Sequence, residues 1–255
     1  MMLRLFVAFI LMVMLTPFTL QAAQVRIAVA SNFLIPVQGL AKSFEEQTGH
    51  SVTVSAGSTG KLYAQIVNGA PFDIFLAANS REPQRLEASG LTVAGSRFTY
   101  ALGKLVLWGP QTQINEQEPK TVLNNSALQR LAIANPATAP YGAAAVEVLE
   151  KLGLYDALKH KIIRGENVSQ TYQYVASGAA QLGFVALSQL KAQERQQTID
   201  NNHYWLVDAT FYAPIRQQAV LLKKAEGNAA VRRFIEFLSG PAGRSAIEAY
   251  GYGVE

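Results

Sequence analysis

The sequence predicts an α/β chain folded as two lobes with a cleft between them. Three observations carry this. Short β-branched runs alternate with segments whose apolar residues recur at the helical period. The alternation comes as two separate sets. Two strand-like segments, 104–108 and 217–222, interrupt it where the chain passes from one set to the other and back. Strand–helix alternation at this spacing builds βαβ units and mostly parallel sheets flanked by helices.

Each element follows from its residues. Residues 25–30 (Val-Arg-Ile-Ala-Val-Ala) form the first strand. In 37–47, Val37, Leu40, Ala41 and Phe44 lie on one helical face, with Pro36 suited to the first turn and Gly49 to the stop. Strands are predicted at 51–55 and 72–77, and helices at 62–67 and 82–89. The second set has strands at 130–134, 161–163 and 182–186, with helices at 143–151 (stopped by Gly153) and 169–177. Helices at 229–238 and 243–250 close the chain. Residues 193–202 are the most polar stretch and read as a solvated loop or helix end. Crossings near 100–104 and 212–217 divide the chain into lobe one, 24–102 with 215–255, and lobe two, 103–214.

Residues 1–23 read as a secretory leader. Arg4 is the only charge before Arg26, Leu5 to Leu15 run apolar, and Ala22 and Ala23 supply the small end. The run is shorter than the roughly 20 residues of a spanning helix, the alternative reading. Cleavage after Ala22 or Ala23 is acceptable. There is no cysteine, hence no lipid attachment point, disulfide or thiol nucleophile. A free periplasmic protein stabilised by its apolar core is expected. Lys and Arg number 22 against 18 Asp and Glu, and Arg4 leaves with the leader. Such an excess steers an anion, but it is too small and scattered for nucleic acid.

Four loops join a strand end to a helix start: Ser31-Asn32, Gly57-Ser58-Thr59-Gly60, Pro140-Tyr141-Gly142 and Asn167-Val168-Ser169. Free N–H groups at a helix N-terminus attract anions. Ser, Thr and Asn at such places are also ordinary N-caps, and any one loop alone reads more simply as a cap. Two loops from each lobe facing one cleft raise the anion reading. Gly57-Ser58-Thr59-Gly60 is no Walker loop, because Lys61 follows too short a glycine loop and precedes no Ser or Thr.

Val29-Ala30-Ser31-Asn32-Phe33, Ser55 through Ile66, and Gly69-Ala70-Pro71-Phe72-Asp73-Ile74-Phe75 resemble the molybdate-binding periplasmic proteins of bacterial ABC transporters. Asn135-Pro136, Ala139-Pro140-Tyr141-Gly142, Gly183-Phe184-Val185-Ala186, Gly240-Pro241 and Tyr250-Gly251-Tyr252 extend the likeness over nearly all of the chain after the leader. The resemblance implies a type II periplasmic binding protein, not an enzyme, that captures molybdate or tungstate and hands it to a membrane permease. It implies no cofactor; the metal is bound as its oxyanion. A monomer is expected. The donors it implies are Ser31, Asn32, Ser58, Thr59, Tyr141 and the Val168 backbone, with Ser31 and Thr59 giving hydroxyl and N–H and Asn32 adding its amide. A fully ionised oxyanion needs only donors, and preformed dipoles cost less desolvation than a buried ion pair. The alternatives are the same fold holding sulfate or another tetrahedral oxyanion, or presenting its ligand to a signalling partner.

The sequence departs from the pattern at Ala186, where many members carry a tyrosine whose hydroxyl reaches the anion. Tyr141 and Asn32 are the candidate replacements. Elsewhere, His50, His160 and His203 lack metal spacing and read as surface or loop residues. No Gly-x-Ser-x-Gly elbow occurs. Asp73 is the one carboxylate expected near the cleft, in a structural role. Trp108, Trp205, Tyr250 and Tyr252 read as core and hinge packing.

Overall fold

The computed structural model describes residues 22–114, 117–195 and 201–255. Nearly all of the predicted leader, and residues 196–200 of the polar stretch, lie outside the described residues. Ala23 already belongs to the fold: its N–H donates to His50 Nδ1 at 3.3 Å and its carbonyl accepts from Ser51 at 3.1 Å. His50 is therefore buried, packed on Phe44, and not at the surface as its isolation in sequence suggested.

The first sheet contains β1 (Gln24–Ala30), β2 (Ser51–Gly57), β3 (Ile74–Ala77), β4 (Phe98–Gly103) and β10 (Ile215–Leu221), in the order β2-β1-β3-β10-β4. The second contains β5 (Leu105–Trp108), β6 (Leu131–Ala134), β7 (Ile162–Gly165), β8 (Leu182–Ala186) and β9 (Tyr204–Leu206), in the order β7-β6-β8-β5-β9. In each, three neighbouring strands pair in parallel, a fourth pairs antiparallel with them, and the fifth pairs antiparallel with the fourth. Four strands of each sheet thus run one way. The chain passes between the sheets at Lys104 and again across 207–214.

Residues 100–104, expected as a crossing, are mostly strand: β4 pairs with β10, and only Lys104 separates it from β5. Its edge position is conferred by a partner more than a hundred residues away, which no local pattern reports.

The helices are α1 (Leu34–Thr48), α2 (Thr59–Val67), α3 (Arg81–Ala88), α4 (Pro119–Leu123), α5 (Pro140–Lys151), α6 (Tyr155–Leu158), α7 (Val168–Ala176), α8 (Leu187–Glu194), α9 (Ala229–Ser239) and α10 (Pro241–Ala249), with a 3-10 turn at Ser31–Phe33. Gly49 and Gly153 stop α1 and α5 with φ of 71°, where a side chain is strained.

Helices cover both faces of each sheet, which is why the central strands are apolar throughout. Val25, Ile27 and Val29 of β1 face Val37, Leu40, Phe44 and Phe234, while Ala28 faces Leu62, Ile66 and Leu86. Leu105 and Leu107 of β5 face the Val148–Leu149 side of α5, while Val106 and Trp108 face Val175 and Leu190. With both faces filled, the loops at the carboxyl ends of the parallel strands are left to meet at the seam between the sheets.

Candidate anion-binding site

All four predicted loops converge on one small cavity. Ser31, Asn32, Ser58 and Thr59 line it from one lobe; Tyr141, Asn167 and Val168 line it from the other. The centre of a water-sized sphere sweeps about 10 Å³ within it. That is the scale of one small bound species, because the centre need visit only the positions of a compact ligand's outer atoms. Larger clefts of about 370 and 340 Å³ lie on either side of the seam. They are roomier, but neither is lined by all four loops.

The first turn of each helix leaves N–H groups that the helix cannot use. The fold satisfies most of them and spares a few. In α7, the Asn167 side chain accepts from Ser169 and Gln170 at 3.0 and 3.1 Å, leaving Val168 N–H. In α5, Pro140 has no N–H, and Gly142 and Ala143 donate to the Ala139 carbonyl, leaving Tyr141 N–H. In α2, Gly60 donates to Thr138 of the other lobe at 2.9 Å and Leu62 to Ser58, leaving the N–H groups of Thr59 and Lys61, of which Thr59 lines the cavity. Among the described residues no partner is found for the spared groups.

The side chains separate caps from candidate ligand groups. Asn167 is a true N-cap. Ser58 occupies the N-cap position of α2 but makes no capping bond, and its buried hydroxyl has no partner among the described residues. Thr59 Oγ1 accepts from Ala78 N–H at 3.0 Å, which aims its own proton elsewhere. Ser31 is buried, and its carbonyl accepts from Ser169 Oγ across the seam at 3.1 Å.

Asn32 differs from expectation. Its amide nitrogen donates to Gln217 Oε1 and to Tyr252 Oη, both at 2.9 Å, so both amide protons are used beneath the cavity. The backbone of Asn32 lines the cavity, but its amide is no replacement for the tyrosine absent at Ala186. The Tyr141 hydroxyl also turns away, accepting from Gln217 Nε2 at 3.2 Å. Gln217 Oε1 accepts from Tyr100 Oη at 3.0 Å as well. Tyr252 Oη and Ser188 Oγ both reach the Asn32 carbonyl, at 2.8 and 3.0 Å. The result is a buried network of neutral groups joining the lobes under the cavity floor.

Sequence reasoning missed Gln217 and Ser188. The one local signal was a pair of glutamines, Gln217-Gln218, inside a strand pattern, and Gln217 is fully buried.

Electrostatically the cavity is a set of dipoles: no Lys, Arg, Asp or Glu lines it. Lys61, one turn into α2, pairs with Glu166 of the other lobe instead. Burial, above all, pushes the hydroxyls of Tyr100, Tyr141 and Tyr252 well above the usual phenol range, so they stay neutral donors or acceptors. Asp73 is not near the cleft. It sits at the start of β3, at the opposite end of the sheet from the cavity, where both oxygens accept from the Arg26 side chain at 2.7 and 2.9 Å. Trp108 stacks on Tyr172 with centroids 4.9 Å apart, and Trp205 meets Phe211 edge-on; both are core packing. Among the described residues no acidic, histidine or cysteine group could hold a bare metal ion.

Comparison with known proteins agrees with this picture. Residues 25–253 match the family model of bacterial extracellular solute-binding proteins. The chain is 49% identical over 235 residues to the molybdate-binding protein ModA of Azotobacter vinelandii, covering 92% of each chain. It is 42% identical over 234 residues to that of Rhodobacter capsulatus, covering 92% of this chain and 90% of the relative. The solved structure of the Azotobacter vinelandii periplasmic molybdate-binding protein superposes with a TM-score of 0.84 at 40% identity, covering 91% of this chain and 99% of that one.

Proposed function

The chain belongs to the bacterial extracellular solute-binding proteins, and from that premise we propose that it captures molybdate outside the cytoplasmic membrane and delivers it to an ABC transporter permease. One observation carries the reading: loops from four helix starts, two per lobe, converge on one uncharged cavity, and three of those helices bring spared N–H donors to it. A tetrahedral dianion presents only acceptors, and such a cavity presents donors. The bound ion is held by the N–H groups of Thr59, Tyr141 and Val168, by the backbone at Ser31 and Asn32, and by the hydroxyls of Ser31, Ser58 and Thr59. Helix dipoles supply the compensating partial charge without a buried counter-ion.

Tungstate, with the same charge and shape, uses the same donors. Phosphate keeps a proton at neutral pH and needs an acceptor, and no carboxylate lines the cavity. The mature protein acts as a free periplasmic monomer after cleavage at Ala22 or Ala23. It is a carrier, not an enzyme, as its molybdate-binding relatives are.

Calorimetric titration of the purified mature protein with molybdate, tungstate, sulfate and phosphate tests this. Molybdate and tungstate should bind, with sulfate and phosphate much weaker. Sulfate binding as tightly as molybdate would sink the assignment, and no binding at all would sink the receptor reading.

A further inference from the structure

Gly60 has a helical φ and lies in the first turn of α2, where the backbone does not call for glycine. Alanine would favour the helix more. The reason for glycine lies across the seam. A Cβ built on Gly60 would stand 3.1 Å from Thr138 Cα and 3.3 Å from the Thr138 carbonyl oxygen, closer than ordinary contact. The Gly60 N–H meets that same oxygen at 2.9 Å. Two backbones from different lobes are thus in direct contact, with no side chain between them.

Both partners are stiff. Gly60 is built into a helix. Thr138 lies in a turn held by Asn135, whose carbonyl accepts from Thr138 and Ala139 at 3.1 and 2.8 Å and whose side chain accepts from Ala137 at 3.1 Å. Both also adjoin the cavity: Thr59 precedes Gly60, and Tyr141 follows Thr138 by three residues. The contact therefore sets how near the donors of one lobe come to those of the other.

We propose that Gly60 and Thr138 form a closure stop, a backbone-to-backbone contact that fixes the width of the anion cavity, with Gly60 as the positioning residue. The inference rests on the cavity being the oxyanion site. A methyl group at Gly60 cannot be relieved within either stiff segment, and the soft coordinate is the angle between the lobes. The lobes then stop a few tenths of an ångström short. Donors on one side reach the ion while those on the other are stretched, and hydrogen bonds weaken steeply with such misfit.

The test compares the mature wild type with Gly60→Ala in three measurements: calorimetry with molybdate, crystal structures of both proteins with molybdate bound, and thermal unfolding without ligand. The stop predicts about a tenfold or greater loss of molybdate affinity, the cost of weakening hydrogen bonds to a charged ligand. It also predicts a liganded variant more open than the liganded wild type, and an unliganded unfolding temperature unchanged or raised. Unchanged affinity, or a liganded variant that closes fully, overturns the proposal while leaving the wild-type reading intact. A drop in unliganded stability that accounts for the affinity loss assigns Gly60 to the helix and also overturns it. A wild type that binds no oxyanion sinks the underlying reading, and the stop with it.

Discussion

Ser58→Ala should move stability and affinity in opposite directions. As an N-cap, a serine lost to alanine costs about 0.5–2 kcal/mol of stability. Ser58 makes no capping bond, and its hydroxyl is buried at 3% exposure without a partner among the described residues. An unsatisfied buried hydroxyl is itself unfavourable by about 1–3 kcal/mol, less where a water reaches it. Removing it should leave the unliganded protein as stable as wild type, or up to about 1 kcal/mol more stable, a rise of about 2–4 °C in Tm for a chain of this size. With the anion bound, the same hydroxyl donates to a charged ligand, worth about 1.5–3 kcal/mol. Affinity should therefore fall about 10- to 150-fold. Denaturant unfolding without ligand and calorimetry with molybdate, on the same preparations, read both. A less stable protein that binds molybdate as tightly as wild type would show that Ser58 is a cap, and would refute the assignment of its hydroxyl to the ligand.

Lys61→Ala should weaken molybdate binding by no more than about fivefold, because Lys61 and Glu166 are each more than half exposed and such pairs contribute about 0.2–1 kcal/mol. The small loss should vanish in high salt, and a loss of a hundredfold at any salt would mean that the site uses formal charge. The buried tyrosines predict the alkaline limit of stability. Tyr100, Tyr141 and Tyr252 stay neutral in the fold, with pKa values raised above the ordinary 10.0, while the unfolded chain ionises near that value. Above about pH 10 the unfolded state has lost protons that the native state keeps, so stability falls as pH rises, by up to about 1.4 kcal/mol per pH unit for each tyrosine. Below pH 10 these groups leave stability flat. Denaturation midpoints across that range, read beside phenolate absorbance, check this; phenolate signal from all the tyrosines before unfolding would contradict it.

Much of the fold was legible because it rests on local pattern. The strand predicted at 182–186 is β8, Leu182–Ala186, without adjustment. The helix stops at Gly49 and Gly153 follow from a conformation that few other residues adopt. β4 was not legible, since Phe98–Gly103 becomes a strand only by pairing with β10. The four loops were legible as a group, because Ser, Thr, Asn and Pro at helix starts carry a local signature. Their individual roles were not. Asn167 caps and Ser58 does not, although both are good cap residues by type.

By itself the sequence determined most of the strands and helices, and where helix starts gather, because propensity, period and first-turn geometry act over a few residues. Tertiary structure decided where each side chain's hydrogen bonds go. The Asn32 amide is drawn below the cavity by Gln217 and Tyr252, which lie 185 and 220 residues away in sequence. Asp73 is carried to the far end of the sheet by Arg26. The separation of the lobes depends on Gly60 and Thr138 meeting, a contact between backbones that side-chain pattern does not encode.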